Sequence, residues 1–302
     1  MNRIFQSLVI VFFSCSLPAQ DKKQVLSYTN YSWFDEELAL DHKNYTTGWS
    51  AAHKTEYRGG KRTRIIMFGQ TLQDTQYVTT FEYEDSLLIR DRTRFLSIER
   101  HDRIISYEYL DGRNLSRRVK EGQNGEIESE IWYEHSEENL LIEEYWYNGD
   151  GTLNKEISYS YDSKGQLIER LSEGILGSKG IRTYEYDSIG NVVKYHMYSE
   201  SLFEEDPYVK DILSYYDEEG NIIKEEYAMG DGIIRGRTTF EYKPELNSVI
   251  LTTTKPSDDN SYVKVEKTIN NEFGDRISFT RSLNGLITTV SRREIEYAGS
   301  TD

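Results

Sequence analysis

The sequence predicts an all-β protein, an antiparallel meander of about ten two-strand repeats that forms an open curved sheet or an incomplete β-coil. Three observations predict it. An anchor residue, usually tyrosine, recurs at steps of 24 to 30 residues. The residues before it alternate aromatic and acidic, the period of two that marks a strand with one packed and one wet face. Two kinds of turn signal, Asp-x-x-Gly after the anchor and Asn-Gly or Asp-Gly half a period later, then cut each unit into strand, turn, strand, turn.

Residues 1–19 read as a secretory signal, with Arg3 as a basic start, Ile4 to Phe13 as the apolar stretch and Leu17-Pro18-Ala19 as the cleavage region. The expected location is therefore exported: periplasm, cell surface or medium. Cys15 is the only cysteine of the 302 residues. Cleavage after Ala19 leaves no thiol, and with it no disulfide or thiolate ligand. The alternative makes Cys15 the lipid-anchored first residue, with Ser14 before it and Phe12 and Phe13 fitting that motif badly. No later segment has the ~20 consecutive apolar residues of a membrane helix, and the mean hydropathy is -0.70.

Residues 20–54 differ in texture and read as an amino-terminal cap over the exposed end of the array. Within the cap, Asp35 to Leu40 is expected as one short helix with its acids at the favourable end. Residues 55–302 form the repeat domain. The anchors are Tyr57, Tyr83, Tyr109, Tyr133, Tyr161, Tyr186, Tyr216, Tyr242, Asn270 and Tyr297, with Tyr31 as a decayed first copy. Phe81-Glu82-Tyr83, Tyr107-Glu108-Tyr109, Tyr184-Glu185-Tyr186 and Phe240-Glu241-Tyr242 show the alternation, so the four glutamates are expected in water. Aspartate bonds the backbone two residues on, and glycine accepts the positive φ of a tight hairpin. The second strand follows at Leu167-Ile168, Val192-Val193 and Ile222-Ile223, and ends in turns such as Asn124-Gly125, Asp150-Gly151, Asp231-Gly232 and Asn284-Gly285.

Tyr186 to Val193 and Tyr216 to Ile223 read Tyr-Asp-x-x-Gly-Asn followed by two β-branched residues. This pattern resembles the YD repeat of bacterial Rhs and wall-associated proteins and of animal teneurins. The resemblance implies a sheet wound from many repeats into a spiralling shell. This chain departs from those relatives in its shorter array and in lacking a C-terminal toxin region, so an open or incomplete coil is the expected form.

Charge and motifs narrow the function by exclusion. Loss of Arg3 with the signal leaves 35 basic against 52 acidic residues, a net charge of -17. Such a surface repels nucleic acid and anionic headgroups. His42, His53, His101, His135 and His196 lack metal-site spacing, and no G-x-S-x-G elbow occurs. Gly174, Gly177 and Gly180 lead into a strand where a phosphate loop needs a helix. Asn148-Gly149-Asp150-Gly151 looks like a calcium loop, but aligning Gly151 with the invariant glycine puts Trp146 and Ile157 at ligand positions, so a hairpin is expected. Catalytic residues, metal ligands and cofactors are therefore expected to be absent.

The expected function is an exported, non-enzymatic scaffold or binding module for a carbohydrate polymer or a protein partner. One alternative is an orphan or truncated component of an Rhs-type toxin-delivery system. Another is a glycan-active hydrolase whose carboxylates meet only in space, although neighbours such as Glu143-Glu144 and Glu225-Glu226 point to opposite faces of a strand. An outer-membrane barrel is disfavoured because both faces of the strands carry charge. Trp132 and Tyr215 occupy outward positions where other units place a polar residue, and Trp146 is expected in the same neighbourhood as Trp132. These three aromatics are the candidate ligand contacts, weighed against a packing role beneath the cap or a neighbouring turn of the coil.

Overall fold

The computed structural model describes residues 25–34, 48–69, 74–97, 101–201, 206–243, 248–254, 263–271, 275–283 and 286–297. The expected signal with Cys15, and the helix expected from Asp35 to Leu40, lie outside these residues.

The described residues form twenty strands and no helix. The first seven are β1 (Val25–Phe34), β2 (Gly48–Arg58), β3 (Lys61–Phe68), β4 (Thr75–Glu84), β5 (Leu87–Phe95), β6 (Arg103–Leu110) and β7 (Asn114–Glu121). The middle seven are β8 (Ile127–His135), β9 (Leu141–Asn148), β10 (Leu153–Tyr161), β11 (Leu167–Gly174), β12 (Lys179–Tyr186), β13 (Val192–Glu200) and β14 (Tyr208–Tyr216). The last six are β15 (Ile222–Met229), β16 (Ile234–Lys243), β17 (Ser248–Thr254), β18 (Val263–Asn270), β19 (Arg276–Leu283) and β20 (Leu286–Tyr297). Each pairs antiparallel with the next, which is the meander that the turn signals predict.

One further pairing adds to the meander. β1 also pairs with β20, from Val25 opposite Tyr297 to Trp33 opposite Val290, so the ends of the meander meet. The strands that complete this circuit, β1 and most of β2, come from the segment expected to be a cap. They cover the exposed edge by pairing with it, which removes the unpaired amides and carbonyls that make an edge adhesive.

Turn chemistry explains why the units repeat. Asp162 N donates to Gln166 O at 2.9 Å and Gly165 N to Asp162 O at 3.0 Å, while Asp162 Oδ1 accepts from the amides of Lys164 and Gln166. Asp187 and Asp217 build the same turn with Asn191 and Asn221. Gly165 sits at φ 77°, where any side chain is strained.

One anchor shifts. Ser136 N donates to Leu140 O, and Ser136 Oγ accepts from the amides of Glu138 and Leu140, as the aspartate does elsewhere. Asn139 takes the glycine place at φ 65°. The residue before this turn is His135, so His135 and not Tyr133 is the structural anchor. The uneven steps of 24 and 28 around Tyr133 become two equal ones, from Tyr109 to His135 and from His135 to Tyr161.

The sheet is a single layer with little core. The buried apolar side chains among the described residues are Phe68, Ile105, Val119, Ile131, Ile157 and Ile222. The register defines two faces. The more covered one carries Thr79, Asp91, Ile105, Arg118, Ile131, Glu144, Ile157, Arg170 and Arg182. The other carries Glu82, Arg90, Arg92, Arg94, Glu108, Glu185 and Glu241, and the four glutamates are exposed as expected. Arginine against lipid costs about 2–4 kcal/mol at the bilayer midplane, and both faces carry it.

Candidate functional site

Trp132 lies in β8 on the exposed face, with Arg117 of β7 opposite it on one side and Tyr145 of β9 on the other. Its ring is 43% exposed and has the Arg117 guanidinium 4.9 Å from its centroid. That arginine is fixed in turn. Its Nε and Nη2 donate to Glu130 at 2.9 and 2.6 Å, and Nη1 to Glu108 at 3.1 Å. The Glu130 hydrogen bond, ahead of the charge of Glu108, raises the Arg117 pKa above its ordinary value. The Tyr145 hydroxyl donates to Glu143, and this bond, more than burial, raises its pKa. The result is an indole and a phenol on paired positions of adjacent strands, the indole held by Arg117 and the phenol by Glu143, with part of the indole open to solvent.

Trp146 is not part of this group. It pairs with Ile131 and Lys155, so the pleat sends it to the opposite, more covered face. There its Nε1 donates to Glu144 at 2.8 Å and Lys155 Nζ stands 5.8 Å from its ring. Tyr145, which sequence reasoning passed over, is the true neighbour of Trp132. Counting residues across the β8–β9 hairpin from His135 instead of Tyr133 would have found it.

Tyr215 is on the exposed face of β14 and 38% exposed, but both its chemical ends are engaged. Lys224 Nζ lies 3.7 Å from its ring centroid, and its hydroxyl donates to Glu226 Oε2 at 3.0 Å. Glu226 also accepts from Arg237 Nε at 2.8 Å, the first cause of its lowered pKa. Tyr215 lies six strand spacings from Trp132, about 29 Å along the sheet. The three candidates therefore fall at three places.

The pleat also separates the acidic pairs. Glu144 faces Tyr133 and Ile157, whereas Glu143 faces Glu134 and Ser158. Glu225 pairs with Ser214 and Thr238, on the face away from Glu226. At Asn148 to Thr152 the chain makes a hairpin turn whose Asp150 Oδ1 accepts from the amide and hydroxyl of Thr152. Among the described residues no three His, Cys, Asp or Glu side chains are grouped to hold a metal, and no helix is long and apolar enough to cross a membrane.

These features define a single-layer, antiparallel β-repeat protein. No family model and no curated protein matches the sequence. Among solved structures, the chain is similar to a porin-like protein from Bacteroides uniformis, with a TM-score of 0.38 and 9% identity over 91% of this chain and 99% of that one. It is also similar to the TcdB2-TccC3-Cdc42 crystal structure, with a TM-score of 0.23 and 9% identity over 86% of this chain and 21% of that one. A third is a Photorhabdus luminescens Tc holotoxin pore, with a TM-score of 0.22 and 9% identity over 79% of this chain and 19% of that one. The chain thus spans about a fifth of those toxin chains, and these distant likenesses carry neither fold nor function to it.

Proposed function

We propose that the chain is an exported, non-enzymatic binding module for carbohydrate, with the Trp132–Tyr145 pair as its aromatic contact. The observation that supports this most is the indole of Trp132, 43% exposed yet held in place by Arg117 on the charged face of the sheet. Aromatic rings fixed before binding cost little conformational entropy when a ligand stacks on them. A single-layer repeat sheet also offers a long surface along which a polymer can lie.

Trp132→Ala tests the reading. On a glycan array the mature protein is expected to bind, and the variant to lose that binding while keeping a cooperative melt, its stability lowered by the Arg117 stack, about 0.5–1 kcal/mol, and by the covered part of the ring. A loss of about 3–5 kcal/mol would instead mark Trp132 as buried packing. Oligosaccharides recovered intact after incubation separate binding from hydrolysis.

A further inference from the structure

Charge is distributed unevenly along the array. Residues 121–250 carry eleven Lys and Arg against twenty-nine Asp and Glu, while residues 54–120 carry fourteen against ten. Strands β2 to β7 thus form a cationic sector beside the acidic run from β8 to β16. Within it, a groove of about 420 Å³ on the exposed face is lined by Arg64, Val78, Thr80, Arg92, Arg94 and Leu96. A second groove of about 640 Å³ shares Arg92 and Arg94 and continues past His101 and Ile104.

The register sets the spacing of the cations. Arg64, Thr80 and Arg92 stand opposite one another on β3, β4 and β5, and Val78 and Arg94 are opposed in the neighbouring row. Arg64 and Arg92 are two strands apart, about 10 Å, and Arg92 and Arg94 two residues apart, about 7 Å. Arg92 is oriented by Asp102, with Nη2 2.7 Å from Oδ2. Arg64 reaches Glu56 only at 3.9 Å. The Arg94 side chain makes no ion pair or hydrogen bond among the described residues. The floor between the guanidinium groups is apolar, with Val78 half-buried and Leu96 51% exposed.

We infer that the groove across β3, β4 and β5 binds an acidic polysaccharide, its arginines taking the carboxylates of uronic-acid rings and Val78 and Leu96 the rings' C–H faces. The inference rests on the reading of the chain as a carbohydrate-binding module and names a ligand class and a second contact for it. Guanidinium stays charged and offers paired donors that match a carboxylate. The apolar floor has no use for a small inorganic anion but fits the face of a sugar ring.

The test is calorimetric titration of the full mature chain with hexagalacturonate, cellohexaose and a hexathymidylate oligonucleotide, on wild type, the double variant Arg64→Gln/Arg94→Gln, and Trp132→Ala. Hexagalacturonate is expected to bind wild type, more weakly as salt rises. The double variant is expected to bind about tenfold more weakly or worse. Its melting temperature should match wild type, since neither arginine makes a close ion pair. Equal affinity of the double variant and wild type for hexagalacturonate overturns the inference. So does cellohexaose binding as tightly as hexagalacturonate, or the oligonucleotide binding more tightly than either. Loss in Trp132→Ala alone overturns the groove and leaves the aromatic site standing. Loss in the double variant alone supports the groove and removes Trp132 from the contact.

Discussion

At the scale of the residue, the anchor tyrosine joins one unit to the next. The hydroxyls of Tyr109, Tyr161, Tyr186, Tyr216 and Tyr242 donate to the carbonyls of Leu88, Leu141, Leu167, Val192 and Ile222, at 2.7 to 3.0 Å. Each acceptor lies at or beside the start of the preceding unit's second strand, so one side chain ties three strands together at the turn end. Burial raises the pKa of Tyr109, Tyr161, Tyr186 and Tyr216, and a buried hydroxyl needs this partner. Tyr186→Phe should therefore destabilise by about 1 kcal/mol in a urea melt. His135 holds the anchor place without that hydroxyl, and Leu115 starts the matching strand. His135→Tyr should raise stability by about 1 kcal/mol in the same measurement. A loss would mean that His135 is not equivalent to the tyrosines.

At the scale of the element, the strand pairs were the most legible part of the molecule, because each turn writes its own chemistry into four or five residues. Asp162-Ser163-Lys164-Gly165 and its copies at 187 and 217 mark the ends of β10, β12 and β14 in the sequence itself. The Ser136 turn was misread because its serine and Asn139 do the work of aspartate and glycine, while Tyr133 offered a more familiar anchor on the same face. That offset of two also hid which aromatic lies beside Trp132. Parity governs what the sheet tolerates. Deleting residues 162–186 removes β11 and β12 and rejoins Tyr161 to an Asp-x-x-Gly turn, so every later strand keeps its direction. Deleting half that length leaves an odd number of strands, and an antiparallel circuit of odd number needs one parallel pair. The first variant should give a monodisperse protein with a cooperative melt, and the second should lose it. Equal behaviour in size-exclusion chromatography and thermal melting would count against the two-strand unit.

At the scale of the whole molecule, two properties were beyond local reading. The pairing of β1 with β20 joins residues some 270 positions apart, and no turn signal records it. The basic sector disappears when charge is summed over the chain, and emerges only when neighbouring strands are counted together. With so few buried apolar groups, stability rests on cross-strand pairs and turn bonds distributed around the sheet, each worth a fraction of a kcal/mol to about one.

The β1–β20 pairing has a topological consequence. Val25 and Tyr297 face each other across a ladder in the manner of the residues flanking a hairpin, so the sheet has no privileged starting strand. A circular permutant that links Tyr297 to Val25 through a short Gly-Ser turn and opens between Asp150 and Gly151 should reproduce the wild-type circular dichroism and melt, since every strand keeps both partners. A permutant that aggregates or melts over a broad range would show that the two strands do not meet in solution. If it folds, the order in which the repeats are translated is arbitrary, and the register of neighbouring strands alone specifies the molecule.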